Sequence, residues 1–414
     1  MKEQIRISLN DPKQLEKLYR ENKASFRREF SALYPEVKGT ALADFWNERL
    51  HYQTEELTWG TSRELVFVIV AALVAGFIAK IPALFSIHEA YFYPRNIGFI
   101  IFPALTAYFA WKNKLSAGTG ALLVGATLAG LLFINWLPAT QKSDTLLLSC
   151  VHLLLFLWSI LGVSFVGRPQ NSLDRRLGYL RYNGDLLVMT TLIVLAGGIM
   201  TGVTIGLFSL IGFQIEEFYF QNVVVFGLPA APILGTYLTQ TNPQLVGKVS
   251  PVIARIFSPL VLIMLVIYLA AMVYSGKDPY NDREFLLIFN ALLVGVMAII
   301  FFSVAETSTS GKGRAEVWVL FFLSAVTVLV NGLALSAILF RITEWGITPN
   351  RAAVLGGNLL MLLNLLWVTS QLYRVLLKKS DLTQVGKPIA VFLPLYVVWT
   401  IIVTFLFPLL FGFR

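Results

Sequence analysis

The chain has 414 residues, of which 56% are apolar and 14% charged, and this composition excludes an ordinary soluble domain. With several apolar runs beyond about 18 residues it gives an all-α polytopic membrane protein, partnered first by the lipid bilayer. The net charge of +9 sits in the N-terminal segment and short loops, where Lys and Arg orient spans and meet anionic lipid, so nucleic acid is not an expected partner. Cys150 is the only cysteine and rules out an intramolecular disulfide.

Residues 1 to 60 read as a cytoplasmic helical segment. Asp11-Pro12 supplies an N-cap and a first-turn proline, and Leu15, Leu18, Tyr19, Phe26, Phe30 and Leu33 follow as an apolar stripe, so one helix is expected to about Tyr34, ended by Pro35. A second short helix after Gly39 carries Leu42, Phe45, Trp46 and Leu50 on one face. This segment is an anchor on the membrane part or a contact for a protein partner. Residues 1 to 63 carry no secretory signal pattern, so the N-terminus is expected in the cytoplasm.

The first span opens on a capping-box pattern, Thr61-Ser62-Arg63-Glu64, and runs from Leu65 to about Phe85. Ten further apolar runs follow at about 97–111, 116–137, 145–167, 186–213, 223–240, 259–275, 285–305, 317–341, 352–376 and 389–413. The second and seventh are short, as if tilted less or partly re-entrant. With the N-terminus inside, the inner loops hold fourteen Lys and Arg and the outer segments, Arg95, Arg341 and Arg351 among them, hold seven. That bias agrees with a cytoplasmic N-terminus and eleven spans.

An internal repeat organises the membrane part. Phe92–Ala104 returns as Phe218–Ala230 at an ungapped offset of 126, and seven identities fall between Gly76 and Ala104. Beyond it, Asp144 aligns weakly with Asp282. The copies start at spans one and five, an even number of crossings apart, so the halves are expected to be parallel. The division is then 61–185 for the first repeat, 186–306 for the second and 307–414 for a three-span bundle. Gly198, Gly202 and Gly206, and likewise Gly120, Gly125 and Gly130, read as thin faces for close helix packing.

Lys80 stands where the second copy has Gly206, and a Lys inside a span costs roughly 2.5–3.5 kcal/mol, so it needs a partner or a cavity. Glu89, Glu216 and Glu217 are its acidic candidates; snorkelling outward is the bland alternative. Other polar groups inside spans are Asn135, His152, Asn290, Asn331, Asn358, Asn364 and Gln371. Asn358, Asn364 and Gln371 suggest a seam of interhelical hydrogen bonds, and His152 either joins a proton relay or is a satisfied structural group.

Arg341-Ile342-Thr343-Glu344-Trp345-Gly346-Ile347-Thr348-Pro349-Asn350-Arg351, between spans nine and ten, is the most distinctive polar cluster. Here the chain resembles a domain-of-unknown-function family of bacterial multi-spanning membrane proteins, sharpest from Val317 to Trp367, with the N-terminal segment as an extension of some relatives. The resemblance implies no activity. Chemically, Arg341 and Arg351 can hold a carboxylate or phosphate, with Glu344 fixing one of them, or the three can form an internal brace.

Enzyme signatures are missing. Ser310-Gly311-Lys312-Gly313-Arg314 lacks the first glycine and the hydroxyl of a P-loop, and His51, His88 and His152 are too dispersed for a metal, so no cofactor, metal ligand or catalytic residue is assigned. The leading expectation is transport or permeation of a small solute, with an anion as one reading. A membrane sensor or complex subunit acting through residues 1 to 60 is the alternative, and an envelope lipid- or glycan-modifying enzyme the second alternative. Oligomeric state is not readable.

Overall fold

The structure is a computed structural model and describes residues 2–9, 11–21, 23–51, 60–138, 143–167, 172–210, 213–243, 245, 249–275, 283–307 and 314–413. Among these are fifteen helices and no strand. The chain divides into two compact units, Met1–Thr58 and Trp59–Arg414.

The first unit contains α1 (Lys2–Ile7), α2 (Pro12–Glu21), α3 (Lys23–Val37) and α4 (Ala41–His51). Asp11 caps α2 through its carboxylate, which accepts from the amides of Lys13 and Gln14 at 3.0 and 3.1 Å. The single helix expected from Asp11 to Tyr34 is two helices, and Pro35 lies inside α3 instead of ending it. Leu15, Phe26, Phe30 and Leu33 form the core with Ala43, Trp46 and Leu50 of α4. Phe45, expected on that face, is exposed; Ala43 takes its place because 43, 46 and 50 share a helical stripe. Tyr34 closes the α3–α4 turn by donating to Asp44 at 3.0 Å, and burial raises its phenol pKa, with Asp44 adding to the shift.

The second unit is an all-α polytopic membrane protein. Its helices are α5 (Ser62–Phe85), α6 (Glu89–Lys112), α7 (Ala117–Trp136), α8 (Asp144–Val166), α9 (Ser172–Leu210), α10 (Glu216–Thr241), α11 (Val249–Ser275), α12 (Arg283–Thr307), α13 (Arg314–Trp345), α14 (Pro349–Leu376) and α15 (Leu382–Leu410). Each of the expected apolar runs lies on one of them. Eight are long and apolar enough to cross a membrane by length and composition, while α11 and α12 show shorter apolar stretches among the described residues. The two runs that looked short lie on α6 and α11, helices of 24 and 27 residues that rise about 36 and 40 Å at about 1.5 Å per residue, but neither is among the eight. Large apolar side chains stand exposed along these helices, Leu122, Leu132, Leu187, Leu195 and Ile199 among them, as a bilayer-embedded surface requires.

Local chemistry accounts for the helix ends. Thr61 caps α5 by accepting from the Glu64 amide at 3.2 Å, but the Glu64 carboxylate leaves the capping box, accepting from the Tyr108 hydroxyl and lying 3.7 Å from the Lys112 ammonium. Helix α9 begins well before residue 186, so the boundary expected at 185/186 falls inside a continuous helix. Its basic first turns hold neighbouring backbone: Arg175 donates to the Val166 carbonyl at 2.7 Å, Arg176 to Ala390 at 2.9 Å and Arg181 to Ala305 at 3.0 Å. Val166 and Ala305 lie in the last turns of α8 and α12, where carbonyls lack intrahelical donors.

Arg95 follows the same logic from inside a helix. Counted as an outer charge in the sequence, it is a body residue of α6 and only 5% exposed. Its guanidinium donates to the carbonyls of Ile134 and Leu137 at 3.2 Å, at the end of α7, and stacks 4.1 Å from the Tyr91 ring centre. Asn96 beside it exchanges two amide hydrogen bonds with Asn135, at 3.1 and 2.8 Å.

The glycine expectation fails on α9 and for most of the α7 row. Added Cβ atoms on Gly198, Gly202, Gly206, Gly120 and Gly125 would meet nothing within 4 Å, so these rows pack against no helix of the described chain; Gly130 alone approaches Leu153. Close approach occurs elsewhere, where Gly76 of α5 receives the Phe226 ring of α10. Asp282, the Ser310–Gly313 stretch, and the loop charges Lys142, Arg168, Lys248, Lys277, Lys312 and Arg414 lie outside the described residues.

Candidate functional site

Five helices, α8, α9, α12, α14 and α15, line a partly open cavity of about 520 Å³ in the second unit. That is within the range of small-molecule sites. Leu155 and Trp158 of α8, Val294 and Met297 of α12, Met361 of α14 and Tyr396 of α15 contribute from the middle thirds of their helices. Two glycines make this packing possible: a Cβ on Gly184, in the wall, would sit 1.9 Å from the Phe302 ring, and one on Gly356, next to the lining Gly357, 2.1 Å from the Trp399 ring.

The wall is apolar with a few polar groups, and most of those are tied to one another. Asn358 donates to Asn290 at 2.7 Å, joining α14 to α12. Trp158 donates its indole N–H to Asn183 at 2.9 Å, and Asn183 donates to the Tyr179 carbonyl at 2.6 Å. Asn364, just behind the wall, donates to the Tyr396 hydroxyl at 3.1 Å. His152 of α8 lines the cavity with Nδ1 2.9 Å from the Leu148 carbonyl, one turn back on its own helix. Among the described lining residues there is no Lys, Arg, Asp or Glu.

The residues singled out from sequence are therefore only partly brought together. His152, Asn290 and Asn358 line the cavity, and Asn364 supports it through Tyr396. The seam expected along α14 divides: Asn358 and Asn364 are about 120° apart around the helix at about 3.6 residues per turn, and they bond to different helices, while Gln371 lies farther on, half-buried. Asn331 on α13 is fully buried, and neither its amide nitrogen nor its oxygen has a hydrogen-bond partner among the described residues.

Lys80 lies outside the cavity. It donates to the Asn222 side-chain oxygen and not to Glu89, Glu216 or Glu217, which stand exposed in the first turns of α6 and α10. Asn222 sits in a π turn, Phe220–Val224, that interrupts α10, and such insertions re-aim the side chains around them.

The Arg341–Arg351 cluster is a helix corner. Arg351 donates through one nitrogen to the carbonyls of Trp345 and Gly346, at 2.9 and 2.7 Å, closing the end of α13. Gly346 takes a φ of +74°, the left-handed conformation that this corner requires. Both guanidiniums approach the Trp345 ring, at 5.4 Å for Arg341 and 5.7 Å for Arg351. Glu344 is exposed and makes no ion pair among the described residues, so of the two readings the brace takes an Arg–backbone form and not the Arg–Glu form.

Sequence reasoning missed Asn183, Trp158, Tyr396, Gly184 and Gly356. Their types are ordinary for membrane helices, and a break in the apolar run at Tyr182-Asn183-Gly184 was the one available signal. No family model, no curated protein and no solved structure matches this chain.

Proposed function

We propose that this multi-pass membrane protein binds a small solute in the cavity between α8, α9, α12, α14 and α15 and passes it across the bilayer. The carrying observation is a ligand-sized cavity to which α8, α12, α14 and α15 contribute residues from their middle thirds, the depth at which transporters hold substrate. The apolar lining favours a neutral solute over the anion considered from sequence, since the cavity wall offers no cationic partner among its described residues and Arg351 is engaged with backbone. The parallel duplication, the cytoplasmic N-terminus in a bacterial inner membrane and membership of the domain-of-unknown-function family belong to this reading. The 126-residue offset supports the duplication, the loop charge bias the cytoplasmic N-terminus, and the Arg341–Arg351 signature the family and with it the bacterial membrane.

Thermal unfolding of the purified protein against a panel of neutral and anionic solutes tests it. A solute at about a hundred times its dissociation constant stabilises the native state by about 2.7 kcal/mol. The stabilising solute should be neutral, should enter proteoliposomes, and should lose both effects when Ala298→Phe fills the cavity. Flux unchanged by that variant would refute the cavity route. A second reading, a sensor or complex subunit, attaches to the first unit, whose Ile7 and Phe45 are exposed outside its core. It requires a protein that co-purifies with the full chain and is lost when Phe45→Asp is introduced.

A further inference from the structure

We infer that the cavity takes a largely apolar molecule through a hydroxyl that donates to Nε2 of His152. This deepens the cavity reading and rests on it. The Leu148 carbonyl can only accept, so the 2.9 Å contact puts the hydrogen of the imidazole on Nδ1. A charged ring would stand unpaired in this wall, because none of the described lining residues is Asp or Glu. The neutral ring then presents Nε2 as an acceptor.

The other polar groups sharpen that choice by being occupied. Trp158, Ser159, Asn183, Asn358 and Thr400 direct donors into the wall, to Asn183, the Leu155 carbonyl, the Tyr179 carbonyl, Asn290 and the Val397 carbonyl. A ligand that brings its own donor to Nε2 and leaves most of its surface apolar matches this wall. A phenol or an aliphatic alcohol satisfies both demands, whereas a carboxylate brings no donor and would bury an unpaired charge. Such a hydroxyl has two sources, a water-borne solute or a membrane-borne alcohol.

The test uses the full chain in phosphatidylcholine nanodiscs with 4-bromophenol and its methyl ether, 4-bromoanisole. Bromine quenches tryptophan on contact, and Trp158 and Trp399 line the cavity. Saturable quenching by the phenol at least about tenfold tighter than by the ether, a difference of about 1.4 kcal/mol, is expected. His152→Phe should reduce the phenol to the affinity of the ether. Equal saturable binding of both probes to the wild type overturns the hydroxyl–His152 assignment while leaving the cavity reading standing, and this comparison needs no variant. Saturable binding of neither probe, or binding unaffected by Ala298→Phe, overturns the cavity reading itself. Displacement of the bound phenol by 1-dodecanol supports a membrane-borne source, and displacement by unbrominated phenol alone supports a water-borne one.

Discussion

The ammonium of Lys80, late in α5, donates to the side-chain oxygen of Asn222 in the π turn of α10, 142 residues away. Asn222 is the counterpart, at the 126-residue offset, of Asn96, which pairs with Asn135. One aligned position thus serves two different contacts. A double-mutant cycle of Lys80→Met and Asn222→Leu should return a coupling of about 1 kcal/mol in thermal or denaturant unfolding. Additive effects would show that the pair contributes nothing beyond its separate residues.

Arg95→Met should lower stability by about 3 kcal/mol, since it strips charge-assisted donors from the carbonyls of Ile134 and Leu137 at the buried end of α7. Unfolding in detergent reads this directly. Arg95→Lys should recover only part of the loss, because one ammonium cannot reproduce a planar fork spread over both carbonyls.

Asn331 and Asn358 are both buried asparagines on membrane helices, yet opposite results are expected for them. Asn358→Leu removes a bond to Asn290 and should destabilise by about 1–2 kcal/mol. Asn331→Leu removes a buried amide with no described partner and should be neutral or stabilising by about 1 kcal/mol. A clear loss of stability in Asn331→Leu would show that this amide is hydrogen-bonded in the working protein.

Gly356→Ala should cost about 1–3 kcal/mol and shift the Trp399 fluorescence, because the new methyl would lie 2.1 Å from the indole in the cavity wall. Unchanged emission and stability would mean that α14 and α15 are not packed this closely.

In the first unit, Glu16 accepts from Arg20 at 2.8 Å and pairs with Arg49 at 2.9 Å. The Arg20 hydrogen bond, followed by Arg49, holds the Glu16 carboxyl below its usual range. A depressed carboxyl contributes stability that is fully present above its unfolded value of about 4.3 and is lost as pH falls through the lower folded value. Hydrogen-exchange protection around Trp46, taken relative to the intrinsic rate at each pH, should therefore fall below about pH 4.3. Glu16→Gln should flatten that pH dependence.

The sequence by itself determined the fold class, the helix that carries each apolar run, and caps such as Asp11 and Thr61. Apolar length and capping are local properties, written within a few turns of chain. The tertiary structure decided how the polar residues are used. Arg95, Arg175, Arg181 and Arg351, read as loop charges or anion ligands, serve carbonyls at the ends of helices, because a membrane helix must satisfy its last carbonyls and the nearest guanidinium does so. The cavity was also out of reach of the sequence. Its few polar groups come from positions as distant as His152 and Tyr396, and a helical period reports which face is polar but not which helix stands opposite.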